Sequence, residues 1–304
     1  MIGGYRAELD AAHERLAGSP ATVVETATGP IEYLDFGGGY RCCGCTAWWG
    51  AGDQAPRMSQ IYLGAGFRII AVSRFGYLGS PVPADSSAAA QADRYTALLD
   101  LLGVDRVAVV GCSAGTSSSF QFALRHPDRC SGLVVWSPAV PPYTVPARPV
   151  MKVLDAFYGS DLTFWFLMRY APALMMRIMG VPVAVQQRLS AAEREHLDEV
   201  MLAFLPVSRR AAGISNDIRV SNPDLNDLTL AGLTVPTMIV HAVDDPWGSH
   251  EGARRLGRTG PVDFVEIPEG GHLLNGHLER ARTLIRSFVQ THAAQSHQTV
   301  ERRL

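Results

Sequence analysis

The stretch Arg106-Val107-Ala108-Val109-Val110-Gly111-Cys112-Ser113-Ala114-Gly115-Thr116, with the helical pattern that follows it to Arg125, decides the fold. Its first half is a short apolar run rich in valine, the composition of a strand buried on both faces. The run ends in Gly-x-Ser-x-Gly, and a helix opens at once. That string is weak alone; a strand before it and a helix after it give it meaning. A serine at such a turn sits in a strained backbone with its hydroxyl lifted above the sheet. The N-terminus of the helix then points at the place where an oxyanion would develop. The plainer alternative is a serine capping a helix in a loop of small residues. Strand, turn and helix in register favour a nucleophile at Ser113.

Working outward, Thr22–Thr26 and Ile31–Phe36 flank Thr28-Gly29-Pro30 and read as a hairpin. Further apolar runs follow at Arg68–Val72, Gly132–Trp136, Thr237–His241 and Val262–Ile267, with helical patterns at Ser87–Leu102 and Ala114–Arg125. Strand–helix alternation at this spacing means right-handed βαβ units and a parallel sheet. From Pro141 to about Leu230 the alternation stops. Helical patterns replace it at Met151–Tyr158, Leu162–Tyr170, Ala173–Met179 and Ala191–Leu205. The expected division is therefore a core at 20–140 and 231–292, a helical lid at 141–230, an N-terminal helix at 1–19, and a frayed tail from 293 after a helix over 278–290. Phe157, Phe164, Trp165, Phe166, Met168, Met175 and Met176 crowd the lid. They either pack it onto the core or line a pocket, where methionine adapts to irregular shapes.

Hydrophobic residues make up 47% and charged ones 18%, which suits a globule with a large core. A net charge of −2 gives no reason to expect nucleic acid or an anionic membrane as partner. The N-terminus has no basic segment followed by an apolar one, and no run of 18 apolar residues suggests a membrane span. Five cysteines, with Cys42, Cys43 and Cys45 crowded together and Cys112 and Cys130 apart, form neither a disulfide ladder nor paired zinc ligands. The expectation is a reduced, cytoplasmic protein that acts on a small apolar molecule.

A serine nucleophile needs a base, and the base an orienting carboxylate. The strand Thr237–His241 runs into Ala242-Val243-Asp244-Asp245-Pro246, and Val262–Ile267 runs into Pro268-Glu269-Gly270-Gly271-His272. Both lie at carboxyl ends of strands, where ligands sit in open α/β sheets. His126, His250 and His277 lack that context and read as exposed. A capping or surface role is the plainer alternative for His272.

These features, with the segment Ser73-Arg74-Phe75-Gly76-Tyr77-Leu78-Gly79-Ser80, resemble the α/β-hydrolase superfamily over about residues 20–292. The resemblance implies a mostly parallel, doubly wound eight-stranded sheet with the helical lid after the sixth strand. It implies His272 as base, and an acid three residues after the small residue that ends the strand. Ala242 holds that place, so Asp245 is favoured over Asp244. Dehalogenases and epoxide hydrolases of this fold carry Asp at the elbow; Ser113 implies an acyl-enzyme instead, with no metal or organic cofactor. Cleavage of small to medium apolar carboxylic esters leads. C–C, thioester or aminopeptidase-type cleavage or perhalogenation on the same triad remains open, as does an impaired, ligand-binding homologue.

One element is missing from the pattern. The oxyanion hole needs the backbone N–H of Ala114 and a second donor after the third strand, which the resemblance places between Phe36 and Gln60. There the chain reads Gly37-Gly38-Gly39-Tyr40-Arg41-Cys42-Cys43-Gly44-Cys45-Thr46-Ala47-Trp48-Trp49-Gly50, with no strand pattern. Ala47 is the residue left to supply the donor. Lys152 is the only lysine against 26 arginines, a bias of GC-rich coding DNA. With C or G at wobble positions, reading from the third base of the Tyr40 codon gives Pro-(Leu/Val)-Leu-Arg-(Leu/Val)-His-(Gly/Arg)-(Leu/Val)-Val-Gly. That is an apolar strand running into a permitted His-Gly. Two compensating frame errors account for the segment; the alternatives are a real cysteine-rich loop or a crude metal site, for which Cys42, Cys43 and Cys45 are too cramped by ordinary zinc-ligand spacing.

Overall fold

The computed structural model describes residues 2–38, 40–44 and 51–301, with side chains over 3–38 and 51–293. The chain opens with α1 (Ile2–Ala17), β1 (Thr22–Thr26), β2 (Gly29–Gly37), β3 (Tyr40–Gly44), α2 (Ala55–Tyr62) and β4 (Phe67–Val72). It continues with α3 (Ala88–Leu101), β5 (Val107–Ser113), α4 (Thr116–Arg125) and β6 (Cys130–Pro138). Helices α5 (Arg148–Tyr158), α6 (Asp161–Tyr170), α7 (Pro172–Ile178), α8 (Val183–Arg188), α9 (Ala191–Leu202) and α10 (Ala211–Asn216) precede β7 (Thr237–Ala242). The chain closes with α11 (His250–Gly257), β8 (Val262–Ile267) and α12 (Leu278–Glu301).

The strands form one eight-stranded sheet in the order β1-β2-β4-β3-β5-β6-β7-β8. Antiparallel pairing is confined to β1–β2 and β2–β4, and the other pairs are parallel. Successive side chains of a strand point to opposite faces, and β5 divides accordingly. Val107 and Val109 pack with Tyr95 and Leu98 of α3, Phe120 of α4 and Leu256 of α11. Ala108 and Val110 belong to the opposite core with Met58 of α2 and Ile285 and Val289 of α12. Burial on both faces is why these strands read as continuous apolar runs rather than alternating ones.

The structure corrects the sequence at the third strand. Tyr40–Gly44 is a parallel strand, paired to β4 from Tyr40↔Phe67 to Gly44↔Ala71 and to β5 from Cys42↔Ala108 to Gly44↔Val110. Backbone ladders on both edges define the strand, and they do not need an apolar side-chain pattern. Its span coincides with the apolar run of the shifted reading frame. Ala47, the expected second oxyanion donor, lies outside the described residues.

Two further points are decided. Of the two readings of the seven aromatic and methionine residues, packing holds, since none of them lines the cavity described below. Phe164, Trp165, Met168, Met175 and Met176 are core, Phe157 packs against them, and Phe166 faces outward. The last helix does not fray at Thr291 but runs to Glu301, because no Gly or Pro interrupts it and Ala293 is buried. No helix among the described residues is long and apolar enough to cross a membrane.

Candidate active site

Ser113 is the last residue of β5, and its φ of 49° is in the left-handed region that non-glycine residues rarely occupy. The turn is closed by the Gly115 N–H, which donates to Cys112 C=O at 2.9 Å. It is so tight that a Cβ on residue 111 would lie 2.3 Å from Ser119 Oγ. Only glycine fits there. Thr116 opens α4 and donates its hydroxyl to the Ser113 carbonyl.

The ends of β7 and β8 bring the partners. His272 Nε2 lies 2.8 Å from Ser113 Oγ, and His272 Nδ1 lies 2.8 Å from Asp245 Oδ2. Asp245 Oδ1 accepts the N–H groups of Trp247 (2.8 Å) and Gly248 (3.3 Å). Asp244 faces elsewhere and accepts the Gly271 N–H at 2.8 Å, bracing the turn that carries His272. Three buried or half-buried groups from three strand ends thus form one continuous hydrogen-bonded chain. His126 and His250 are paired with Asp93 and Glu266, each at 2.7 Å. They and His277 are half-buried rather than fully exposed.

Burial pushes the Asp245 carboxyl up, but the His272 imidazole and the Trp247 N–H more than offset it, so the group titrates below its usual range. Behind it lies His241, fully buried, a residue the sequence singled out only as a strand end. Its Nε2–H donates to the Gly248 carbonyl at 2.9 Å, so Nδ1 faces Asp245 Oδ2 at 3.9 Å as a bare lone pair. Burial holds this histidine's pKa down despite the nearby carboxylate. It therefore stays neutral and leaves the Asp245 charge to His272.

Two more residues position the imidazole without any sequence signal beyond a turn. Trp247 lies over the His272 ring with centroids 4.7 Å apart. Gly180, between α7 and α8, accepts the His272 backbone N–H at 2.9 Å. A cavity of about 420 Å³ opens on Ser113, Ala114 and His272, with Met179, Ile178 and Leu154 of the inserted segment on its wall. No group of three potential metal-ligating side chains occurs among the described residues.

Residues 43–163 match the family described as alpha/beta hydrolase fold. The structure aligns with an alpha/beta hydrolase fold protein from Nakamurella multipartita at a TM-score of 0.71 and 24% identity, over 90% of this chain and 99% of that one. The chain has the α/β-hydrolase fold. This hydrolase-fold chain is 30% identical over 187 residues, 60% of its length, to a protein provisionally designated carbamate hydrolase RutD from Caulobacter sp. (strain K31). It is also 30% identical over 204 residues, again 60% of its length, to homoserine O-succinyltransferase from Xanthomonas campestris pv. campestris. The two matches span 65% and 54% of those relatives' own lengths, less than two thirds in each case.

Proposed function

We propose that the protein is a serine hydrolase that cleaves small to medium, largely apolar carboxylic esters through an acyl-enzyme. The observation that carries this reading is the chain Ser113 Oγ–His272 Nε2 and His272 Nδ1–Asp245 Oδ2, each link 2.8 Å, at the floor of an apolar cavity. Ser113 Oγ attacks the ester carbonyl carbon while His272 Nε2 takes the hydroxyl proton. The carbonyl oxygen becomes an oxyanion, held by the Ala114 N–H and by a second backbone N–H that we assign to Ala47. Collapse breaks the bond to the alcohol oxygen, and His272 returns its proton to the departing alcohol. Water then attacks the acyl-enzyme, gives its proton to His272, and releases the acid as Ser113 regains the proton. Asp245 keeps its charge and stabilises the imidazolium at both steps.

A cavity of about 420 Å³ suits acyl groups of modest length. The test is hydrolysis of p-nitrophenyl esters of graded chain length. Turnover is expected to peak at short to medium chains and to vanish in Ser113→Ala. Labelling of Ser113 by a fluorophosphonate without hydrolysis of any ester in the series overturns the ester assignment while sparing the nucleophile.

A further inference from the structure

One corner of the cavity is polar, and the reaction above does not use it. Helix α10 runs directly into a π-helical turn, Asp217–Ser221, which ends with the Asn222 N–H on the Asp217 carbonyl at 2.9 Å. A π turn is wider than an α turn, and such turns are frequent at functional sites. Here it brings Asp217, Ile218 and Asn222 all to the cavity wall. The turn is fastened to the nucleophile's own helix. Ser221 Oγ meets Ser117 Oγ at 2.7 Å, and Arg74 Nη1 reaches both the Ala114 carbonyl at 3.4 Å and Asp217 Oδ1 at 2.5 Å.

The Asp217 carboxylate is fully engaged, by both Arg74 Nη atoms and by the Tyr77 hydroxyl, all at 2.5 Å. The corner therefore offers a ligand no net charge. Asn222 is different. It is 7% exposed, and its Oδ1 has no hydrogen-bond partner among the described residues. Tyr143 lines the same cavity. Tyr143 is held in place by Asn226, whose Oδ1 accepts the Tyr143 N–H at 2.7 Å and whose Nδ2 donates to its carbonyl at 2.9 Å. A buried amide oxygen left unpaired in a cavity wall calls for an explanation, and a donor on the ligand supplies one.

We propose that Asn222 and Tyr143 form a specificity subsite for a neutral hydrogen-bond donor, a hydroxyl or an amide N–H, carried on the acyl portion of the substrate. The substrates are then uncharged amphiphilic esters rather than plain alkyl esters. An anion is disfavoured beside Asp217, and a cation beside Arg74. This inference rests on the ester-hydrolase reading.

The experiment compares p-nitrophenyl 4-acetamidobutyrate with p-nitrophenyl heptanoate, which match in chain length and differ in the amide. Wild-type kcat/KM should favour the acetamido ester, by about tenfold for one well-made hydrogen bond. That ratio should fall toward one in Asn222→Leu and shrink in Tyr143→Phe, a change that keeps the ring and removes only the hydroxyl. A wild-type ratio near one, or a ratio unmoved by both substitutions, overturns the subsite while leaving the hydrolase reading intact. Absence of hydrolysis of both esters, together with absence of fluorophosphonate labelling at Ser113, overturns the hydrolase reading on which it stands.

Discussion

Gly180 and His272 are pressed together across the boundary between the inserted helices and the sheet. The Gly180 carbonyl accepts the His272 N–H at 2.9 Å, and a Cβ on residue 180 would lie 2.5 Å from His272 Cβ. Gly180 also has a φ of 80°, which favours glycine. The imidazole is thus set by the insertion as much as by β8.

Gly180→Ala should consequently displace His272 while leaving the side-chain chemistry of all three triad residues intact. A misplacement of about 1 Å costs on the order of 10²-fold in rate. The measurement is kcat/KM for a p-nitrophenyl ester, with thermal unfolding of the variant recorded alongside. A fully active Gly180→Ala protein contradicts the assignment.

The two adjacent aspartates separate by role. Asp245→Asn removes the charge that orients and stabilises the imidazolium, and kcat should drop by roughly 10⁴-fold. Asp244→Asn keeps an oxygen for the Gly271 N–H and should change kcat by less than about tenfold, since it loses only one charge-assisted bond. Equal losses in the two variants count against Asp245 as the acid.

The Arg74–Asp217 pair is buried on both sides, with side chains 2% and 6% exposed. Asp217→Leu leaves the guanidinium uncompensated and should cost about 3–5 kcal/mol in urea unfolding. Arg74→Met with Asp217→Leu together should recover most of that loss. A single variant as stable as the wild type contradicts the burial of this pair.

Acid lability follows from Asp245. Its folded pKa lies below the usual carboxylate value of about 3.9, because His272 and the Trp247 N–H more than offset burial. A depressed carboxylate contributes stability above its unfolded pKa and loses it as pH falls through the folded one. The stability gap between wild type and Asp245→Asn should be at its full size above about pH 5 and shrink as pH falls below about 4. A gap that does not change with pH contradicts the assigned shift.

Sequence pattern carried the strands well where both faces are buried: β7 begins as read and ends one residue later. The half-exposed edge strand β8 also begins and ends as read, and Ser87 caps α3 as its helical pattern starts. Ser113, Asp245 and His272, which the fold joins in one hydrogen-bonded chain, could be singled out in the sequence because each lies at or just after the end of a strand. Gly180 was not, since its contact with His272 joins segments about 90 residues apart and glycine carries no side chain to signal it. The π turn was equally silent, because Asp217 and Asn222 follow no helical period. Aromatic and methionine content marked the insertion but not its inward side; Leu154 and Met179 line the cavity while Phe164 and Met175 fill the core. At β3 the pattern failed outright, since Tyr-Arg-Cys-Cys-Gly lacks the apolar run that a strand paired on both edges normally has.

That mismatch makes its own prediction. Resequencing the locus and mass spectrometry of the purified protein should return Pro-(Leu/Val)-Leu-Arg-(Leu/Val)-His in place of Arg41 to Thr46. An in-frame Cys42-Cys43-Gly44-Cys45 confirmed in DNA and peptides ends the frame hypothesis. Such a chain, if its loop fails to present the second oxyanion donor, should be slower by about 10²–10³-fold.

The most direct test of the whole account is where an activated phosphonate lands. The protein is incubated with a fluorophosphonate and digested, and the modified peptide is located by mass spectrometry. A single adduct is expected on Ser113, absent in Ser113→Ala and formed far more slowly in His272→Ala. An adduct on another residue, or labelling of Ser113 at the same rate without His272, contradicts it.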